Sequence, residues 1–276
     1  GAGASSGLFP TLWLSVKDSD DITKEETIET LATKFASSGH DHHYTLLFMY
    51  YYQKIIKPVC EFKLSDAIST NQTEALDNYE IFIDSIVRLL QHKSEFSKRC
   101  NLFTTNYDGC IPLIADKIIK KGSLLFHIND GSSGFLERTL SAKNFNTYLC
   151  ETGVFGKHAT DIPQLNFINL HGSAYWRKED ESIVVDYSST ETNVVITEDA
   201  QRWLEQLDSI LNDEAKDTND ILNIEVEFTQ EARDSFWSSY NKLPIVNPTK
   251  WKFHETVFEE HYYQMLRLLC YQLEEP

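Results

Sequence analysis

Two groups of side chains in this sequence could do chemistry together. An amide and a carboxylate stand two positions apart at Asn106 and Asp108, closing the run Leu102-Phe103-Thr104-Thr105-Asn106-Tyr107-Asp108. An imidazole stands at His171, followed by Gly172 and Ser173. An amide can orient a hydroxyl or a water, and an imidazole of ordinary pKa, about 6.5, can move a proton at neutral pH. Both groups end apolar, β-favouring runs, Leu102–Thr104 and Leu165–Leu170. In a parallel α/β sheet such strand ends deliver polar residues to the carboxyl edge, where ligands bind. The plainer reading of the first group is an Asx turn leading into a helix over 111–121. The plainer reading of the second is a structural histidine.

A third candidate opens the chain, Gly1-Ala2-Gly3-Ala4-Ser5-Ser6-Gly7. Its glycines permit positive φ and close approach of backbone N–H groups to a phosphate, although the spacing is not the usual dinucleotide fingerprint. A loose terminus would look the same. Leu8, Phe9, Leu12 and Trp13 are expected to anchor its far side. Because the sequence opens on this loop, a first strand is expected upstream, making the chain a segment of a longer protein. Gly39-His40-Asp41-His42-His43 invites a metal, but no cysteine or spaced second pair supports one, and a polar helix start accounts for it better.

The elements that must position these groups follow from periodicity. Glu25–Ala36, Tyr44–Ile56 and Leu76–His92 read as helices, the second closed by Pro58 and the third carrying Tyr79, Phe82, Ile83, Ile86, Leu89 and Leu90 at a helical period. Tyr50, Tyr51 and Tyr52 are read as packing. Strands are expected at Leu102, Leu124–Ile128 and Leu165–Leu170, and an irregular stretch from Gly131 to Gly156. Ser182–Tyr187 and Asn193–Ile196 read as a short β pair. Thr197 can cap a helix whose stripe is Trp203, Leu204, Leu207, Ile210 and Leu211. Asp213–Asp220 reads as a solvated loop, Leu243–Pro248 as a short strand, and a last helix carries Phe258, Tyr262, Met265, Leu266 and Leu269. The fold class is α/β, a three-layer parallel sheet with an inserted helical module. A single domain over 1–276 is expected, with the module at 18–98, the catalytic core at 99–173, a variable insertion at 174–243 and a return to the core at 244–276.

Composition narrows the function. Apolar residues make up 41% of 276, enough for a real core. A net charge of −17 repels phosphate backbones and anionic membranes, so direct nucleic-acid or membrane binding is not expected. The dense basic run Lys117–Lys121 reads as a solvated helix end. Five scattered cysteines without a C-x-x-C pair fit a reducing, cytoplasmic compartment and neither a disulfide framework nor a zinc ribbon.

Taken in order, the motifs resemble the sirtuin (SIR2-like) NAD-binding family: G-A-G-A-S at Gly1–Ser5, T-T-N-Y-D at Thr104–Asp108, and H-G at His171-Gly172. G-L-F-P at Gly7–Pro10 is similar to the family's glycine-x-proline stretch. The prokaryotic anti-phage branch is closer still. It writes F-T-T-N-Y-D and L-H-G-S, present here at Phe103–Asp108 and Leu170–Ser173, and I-V-N-P-T-K at Ile245–Lys250 is similar to its late strand. The chain lacks the four-cysteine zinc module of deacylating sirtuins. It has Thr105 and Tyr107 where their motif has glutamine and isoleucine, and Thr11-Leu12-Trp13 where they have D-F-R.

The resemblance implies a Rossmann-like sirtuin fold and cleavage of NAD itself in place of acyl-lysine chemistry. It implies His171 as general base, Asn106 orienting ribose or water, and Asp108 holding the nicotinamide amide. Gly1, Ala2, Gly3, Ala4 and Ser5 would cradle the pyrophosphate, with Pro10, Thr104, Thr105, Gly172 and Ser173 completing the site. The expected activity is that of an NAD glycohydrolase releasing nicotinamide and ADP-ribose, an NAD-depleting effector working as a homo-oligomer with partner domains. NAD is the substrate and no metal is expected. The alternative is a non-catalytic module that binds NAD or ADP-ribose; a cyclase or residual deacylase is a third reading. A further strand and glycine-serine turn beyond Pro276 is expected to complete the adenosine site.

Overall fold

The computed structural model describes residues 2–66, 69–93, 98–154, 156, 159–188, 194–250, 257 and 259–274. In chain order, a 3-10 turn at Ala2–Ser5 precedes β1 (Trp13–Lys17), β2 (Glu25–Thr27), α1 (Ile28–Ser38), α2 (Asp41–Tyr51), α3 (Lys57–Glu61) and α4 (Thr70–Gln91). Next come β3 (Arg99–Thr104), α5 (Cys110–Lys121), β4 (His127–Asn129), β5 (Ser132–Ser133), β6 (Thr139–Leu140), β7 (Cys150–Thr152) and β8 (Ala159–Asp161). Then follow β9 (Gln164–Asn169), β10 (Trp176–Glu179) and β11 (Ser182–Val185), and α6 (Glu198–Leu211), α7 (Thr218–Leu222), α8 (Gln230–Tyr240) and α9 (Glu260–Glu274). The protein is mixed α/β. It divides into two compact units, one of Gly1–Leu8, Phe62–Ser189 and Thr256–Pro276, the other of Phe9–Glu61 and Thr190–Glu255. The stretch 18–98, read as one helical module, is therefore shared: α1 and α2 lie in the second unit and α4 in the first.

The first unit is built on a parallel sheet in the order β3-β9-β4. Arg99 stands opposite Gln164 and Thr104 opposite Asn169, with Asn129 of β4 opposite Asn166. All six residues of β9 are buried, three of them amides. The NH₂ groups of these amides bond to one another and to neighbouring backbone, while Gln164 Oε1 and Asn169 Oδ1 are buried without a partner among the described residues. Gln164 Nε2 donates to Asn166 Oδ1 and to Thr147 O, at 2.7 and 2.8 Å, and Asn166 Nδ2 donates to Asn101 Oδ1 at 2.7 Å. Ile168 and Leu170 pack with Phe145 and with Met265 of α9. A Ser69 capping box starts α4, whose buried stripe is Leu76, Tyr79, Ile83, Val87 and Leu90; Phe82 and Leu89, expected in the same apolar set, are exposed. Lys117 and Lys121 at the end of α5 both reach Glu80 of α4, so the basic run is tied to its neighbour.

Several expectations are corrected. The strand expected at Leu124–Ile128 begins at His127 and ends at Asn129, and Leu125 is exposed. Ser182–Val185 pairs with Trp176–Glu179, not with Asn193–Ile196; a tight turn with Asp180 in the left-handed region (φ 52°) joins them. Residues 194–196 form no strand, and Asn193 lies outside the described residues. The irregular stretch from Gly131 to Gly156 contains the antiparallel pair β5–β6 and the strand β7, which pairs with β8 just beyond it. On α9, Tyr262 and Met265 are buried, while Phe258 lies outside the described residues.

In the second unit, Pro58 does not end a helix. A π-helical turn over Tyr52–Ile56 absorbs the irregularity and the chain continues helical through Lys57–Glu61. Glu25–Thr27 is a strand paired with β1, and α1 starts at Ile28 behind a Thr27 capping box. Trp13 is no anchor, since it opens β1 and is 69% exposed. Within Asp213–Asp220 the chain is structured: Asp217 caps α7, Thr218 is buried, and Lys17 N donates to Lys216 O. Thr197 precedes α6 but makes no side-chain cap bond. Leu243–Pro248 forms no strand and makes only an isolated bridge at Ile245; Ile245 and Val246 are buried, and Tyr240 Oη donates to Asn247 Oδ1. Tyr50, Tyr51 and Tyr52 are buried, as packing residues. His42 Nδ1 accepts from Phe228 N and His43 Nε2 meets Ile224 O, so the histidine run ties the start of α2 to the chain ahead of α8.

One half-buried histidine gives the first unit a pH dependence. His261 Nε2 is buried without a partner among the described residues, and the ring lies against Tyr262. Burial lowers its pKa to about 4, with Glu259 opposing the shift and Lys178 adding to it. The folded chain therefore binds the proton more weakly than the unfolded chain. Its contribution is whole above about pH 6.5 and drains as pH falls toward 4, by roughly 2 kcal/mol after allowing for the ring's partial exposure. Urea midpoints at pH 7 and pH 4.5 should converge in His261→Phe relative to the parent. An unchanged difference would remove His261 as the cause.

Candidate active site

The two strand-end groups meet because β3 and β9 are parallel neighbours in matching register. Beyond the sheet their exits run side by side. Leu170 N donates to Thr104 O at 2.8 Å and Ala174 N to Tyr107 O at 3.0 Å. Ser173 Oγ reaches the same Tyr107 oxygen at 3.4 Å. His171, half-buried, is carried on the turn between these bonds. Gly172 takes φ 83°, which a side chain would strain, and its carbonyl accepts from Asn169 Nδ2 at 3.2 Å. Gly109 has a different reason: a Cβ there would come within 2.5 Å of the Tyr175 ring, so only glycine lets 105–109 lie this close to 173–175.

Asn106 and Asp108 are not pendant groups at a turn. Asn106 N donates to Thr104 Oγ1 at 3.0 Å, an ST-type turn that fixes the amide just past the strand. Asn106 Nδ2 donates to Asp108 Oδ2 at 3.1 Å and to Ser5 Oγ at 3.3 Å. Ser5 Oγ itself donates to Asp108 Oδ2 at 2.8 Å, across 103 positions of sequence. The remaining carboxylate oxygen accepts from Cys110 N at 3.1 Å, at the start of α5. Asp108 is 8% exposed and Ser5 4% exposed, so this is a buried, charge-assisted cluster.

Tyr79 of α4 completes it. Its hydroxyl lies 2.7 Å from Ser5 Oγ. Because Ser5 gives its own proton to Asp108, the phenol is the donor in that contact. Burial, then the Asp108 charge, pushes the phenol pKa up and keeps the donor protonated. The same two causes push the Cys110 thiol up, so this buried cysteine is no nucleophile. Periodicity placed Tyr79 in the apolar stripe of its helix and gave no signal of its polar role.

A cavity of about 730 Å³ opens at the cluster. Gly3, Ala4 and Asn106 bound one end, and the rest follows the outer side of β3 under α4. Of the residues read as a site, Ser5, Thr104, Asn106, Asp108, His171, Gly172 and Ser173 gather at one edge of the first unit. Gly3 and Ala4 are exposed, and Ala2 belongs to the same 3-10 turn; Gly1 lies outside the described residues. Thr105 is exposed, and Thr104 spends its hydroxyl on Asn106 N. Pro10, exposed, belongs to the second unit. Among the described residues no group of three or more His, Cys, Asp or Glu side chains is placed to hold a metal ion. Compared with known proteins, the chain matches no family model and no curated protein.

Proposed function

We propose that this chain is an NAD glycohydrolase of sirtuin-like, Rossmann-type fold, cleaving the bond between nicotinamide and ribose. The observation that carries the proposal is the cluster of Ser5, Asn106 and Asp108 at the carboxyl edge of a parallel sheet, beside the turn bearing His171. Ser5, Asn106, Asp108 and His171, at least one from each of the three motifs that resemble the family, lie along that edge.

The leaving group is a pyridinium, already cationic, so its departure needs no general acid. What accelerates the step is activation of water and stabilisation of a ribosyl centre with oxocarbenium character. A water oxygen bonds to the anomeric carbon as the C–N bond breaks. That electron pair returns to the pyridine nitrogen and neutral nicotinamide leaves. His171 takes the proton from water and passes it to solvent. Both bonds from Asn106 Nδ2 turn inward, so its carbonyl oxygen is the end that accepts from a ribose hydroxyl or the water. Asp108 has a changed role. With Ser5, Asn106 and the Cys110 amide on its oxygens, it positions Asn106 and the Ala2–Ser5 turn instead of holding the nicotinamide amide.

The setting proposed with this activity is an NAD-depleting effector of prokaryotic anti-phage defence, cytoplasmic and homo-oligomeric. No described helix is long and apolar enough to cross a membrane. Incubation with NAD should yield nicotinamide and ADP-ribose in equal amounts, followed by chromatography. The inward-turned carboxylate also suits a module that binds NAD or ADP-ribose without turnover. Saturable binding with no product in any assembly state would establish that reading and displace the first.

A further inference from the structure

The sheet face that packs on α9 is apolar toward the carboxyl end of its strands and polar toward the amino end. The period of two puts Arg99, Asn101 and Phe103 of β3 on one face, in register with Gln164, Asn166 and Ile168 of β9. Ile168 packs with Met265 of α9, and Phe103 lies against the same cluster. Arg99, Asn101 and Asn166 instead line a small cavity of about 150 Å³, with Gln272 of α9 and with Asn146, the last residue of a 3-10 turn over Ala142–Asn146. Phe145 and Leu268 supply the rest of its wall. It shares only Asn101 with the larger cavity beside Asn106.

Which end of each amide meets this cavity follows from two backbone carbonyls, which can only accept. Gln164 Nε2 donates to Thr147 O and Asn166 Nδ2 to Phe145 O, at 2.8 and 3.2 Å, and these bonds fix both amides. Asn166 Nδ2 also donates to Asn101 Oδ1, so Asn101 turns its NH₂ to Gln272 and donates to Oε1 at 2.7 Å. The relay runs from Gln164 through Asn166 and Asn101 to Gln272. It ends on Gln272 Nε2, a group that can only donate. The Arg99 guanidinium is donor-only as well. Among the described residues no carboxylate lines the cavity, in a chain whose formal charge is −17. The carbonyl end of α9 opposes an anion, but with the fraction of a charge that a helix end carries, against the whole charge of Arg99.

We propose that this cavity binds a small oxyanion, a carboxylate or phosphate of few atoms, held by the Arg99 fork and Gln272 Nε2. Size sets the class. At about 30 Å³ per water in the liquid, the space equals about five waters, too little for a nucleotide. An anion there joins the start of β3 to the last turn of α9, the helix whose Met265 packs on Ile168 and Leu170 ahead of the His171 turn. The inference is independent of NAD cleavage, whose proposed place is at the other end of the strands.

Side-chain NMR reads the site directly. The isotope-labelled chain of residues 1–276 is titrated with sodium acetate and, separately, with sodium phosphate, at an ionic strength held constant with sodium chloride. The Gln272 NH₂ and Arg99 Nε–H resonances are expected to shift saturably with at least one of them, and the anion that saturates distinguishes carboxylate from phosphate. Gln272→Glu keeps an oxygen for Asn101 but replaces the donor with a negative charge, so affinity should fall at least ~10-fold. Arg99→Gln should weaken binding by a similar factor, and the backbone spectrum of each variant reports whether it is folded. No saturable shift with either anion would overturn the proposal. So would full affinity in either folded variant, which would place the anion elsewhere.

Discussion

Asn106→Ala is expected to lower nicotinamide release from NAD by ~10²–10³-fold, chiefly in kcat, because it removes the oxygen that orients the reacting ribose or water. His171→Ala is expected to cost ~10²–10⁴-fold through loss of the base. The double variant should fall little further than the worse single one, since the two groups act in one step. A structural explanation must be excluded, because Asn106 also donates to Asp108 and Ser5. Ser5→Ala is the control: it opens the same cluster and leaves the Asn106 carbonyl in place. If Asn106→Ala and Ser5→Ala lose activity in proportion to their losses in urea midpoint, Asn106 is a packing residue. If both Asn106→Ala and His171→Ala keep turnover, the site lies elsewhere.

How much of this was readable beforehand follows from the kind of signal each residue carries. The strand ends at Thr104 and Asn169 were legible because apolar runs stop at polar residues there, and α4 and α5 because a 3.6-residue period survives over several turns. Pairing was less legible. Ser182–Tyr187 reads as the partner of Asn193–Ile196 because both runs favour β structure, yet Ser182–Val185 pairs with Trp176–Glu179 through the left-handed turn at Asp180. Very short strands such as Ser132–Ser133 and Thr139–Leu140 hold too few residues for a period of two to show. Pro58 read as a helix end because periodicity does not foresee a π turn ahead of it. The contact between Ser5 and Asp108 spans 103 positions, and it forms where the Ala2–Ser5 turn packs between α4 and the exit of β3. Tyr79 was legible as buried but not as bonded: an aromatic in an apolar stripe looks the same with or without a partner for its hydroxyl.

Asp108→Ala should be the most destabilising single change at the site, by roughly 3–4 kcal/mol. The carboxylate accepts from Ser5 Oγ, Asn106 Nδ2 and Cys110 N. Truncation leaves three donors facing each other in a largely buried space. Asp108→Asn separates charge from shape. Its amide keeps one acceptor oxygen, but its NH₂ must face either the Cys110 N–H or the donors of Ser5 and Asn106. A loss of about 2 kcal/mol is expected, with the Ala2–Ser5 turn loosened whichever way the amide lies. Urea unfolding gives the two losses, and proteolysis near Ala2–Ser5 reports the turn. If Asp108 instead held the nicotinamide amide, as the motif alone implies, Asp108→Asn would leave stability untouched and raise KM for NAD. A stable Asp108→Asn chain with intact turn protection would return the carboxylate to the substrate and take from it the positioning role that its three bonds describe.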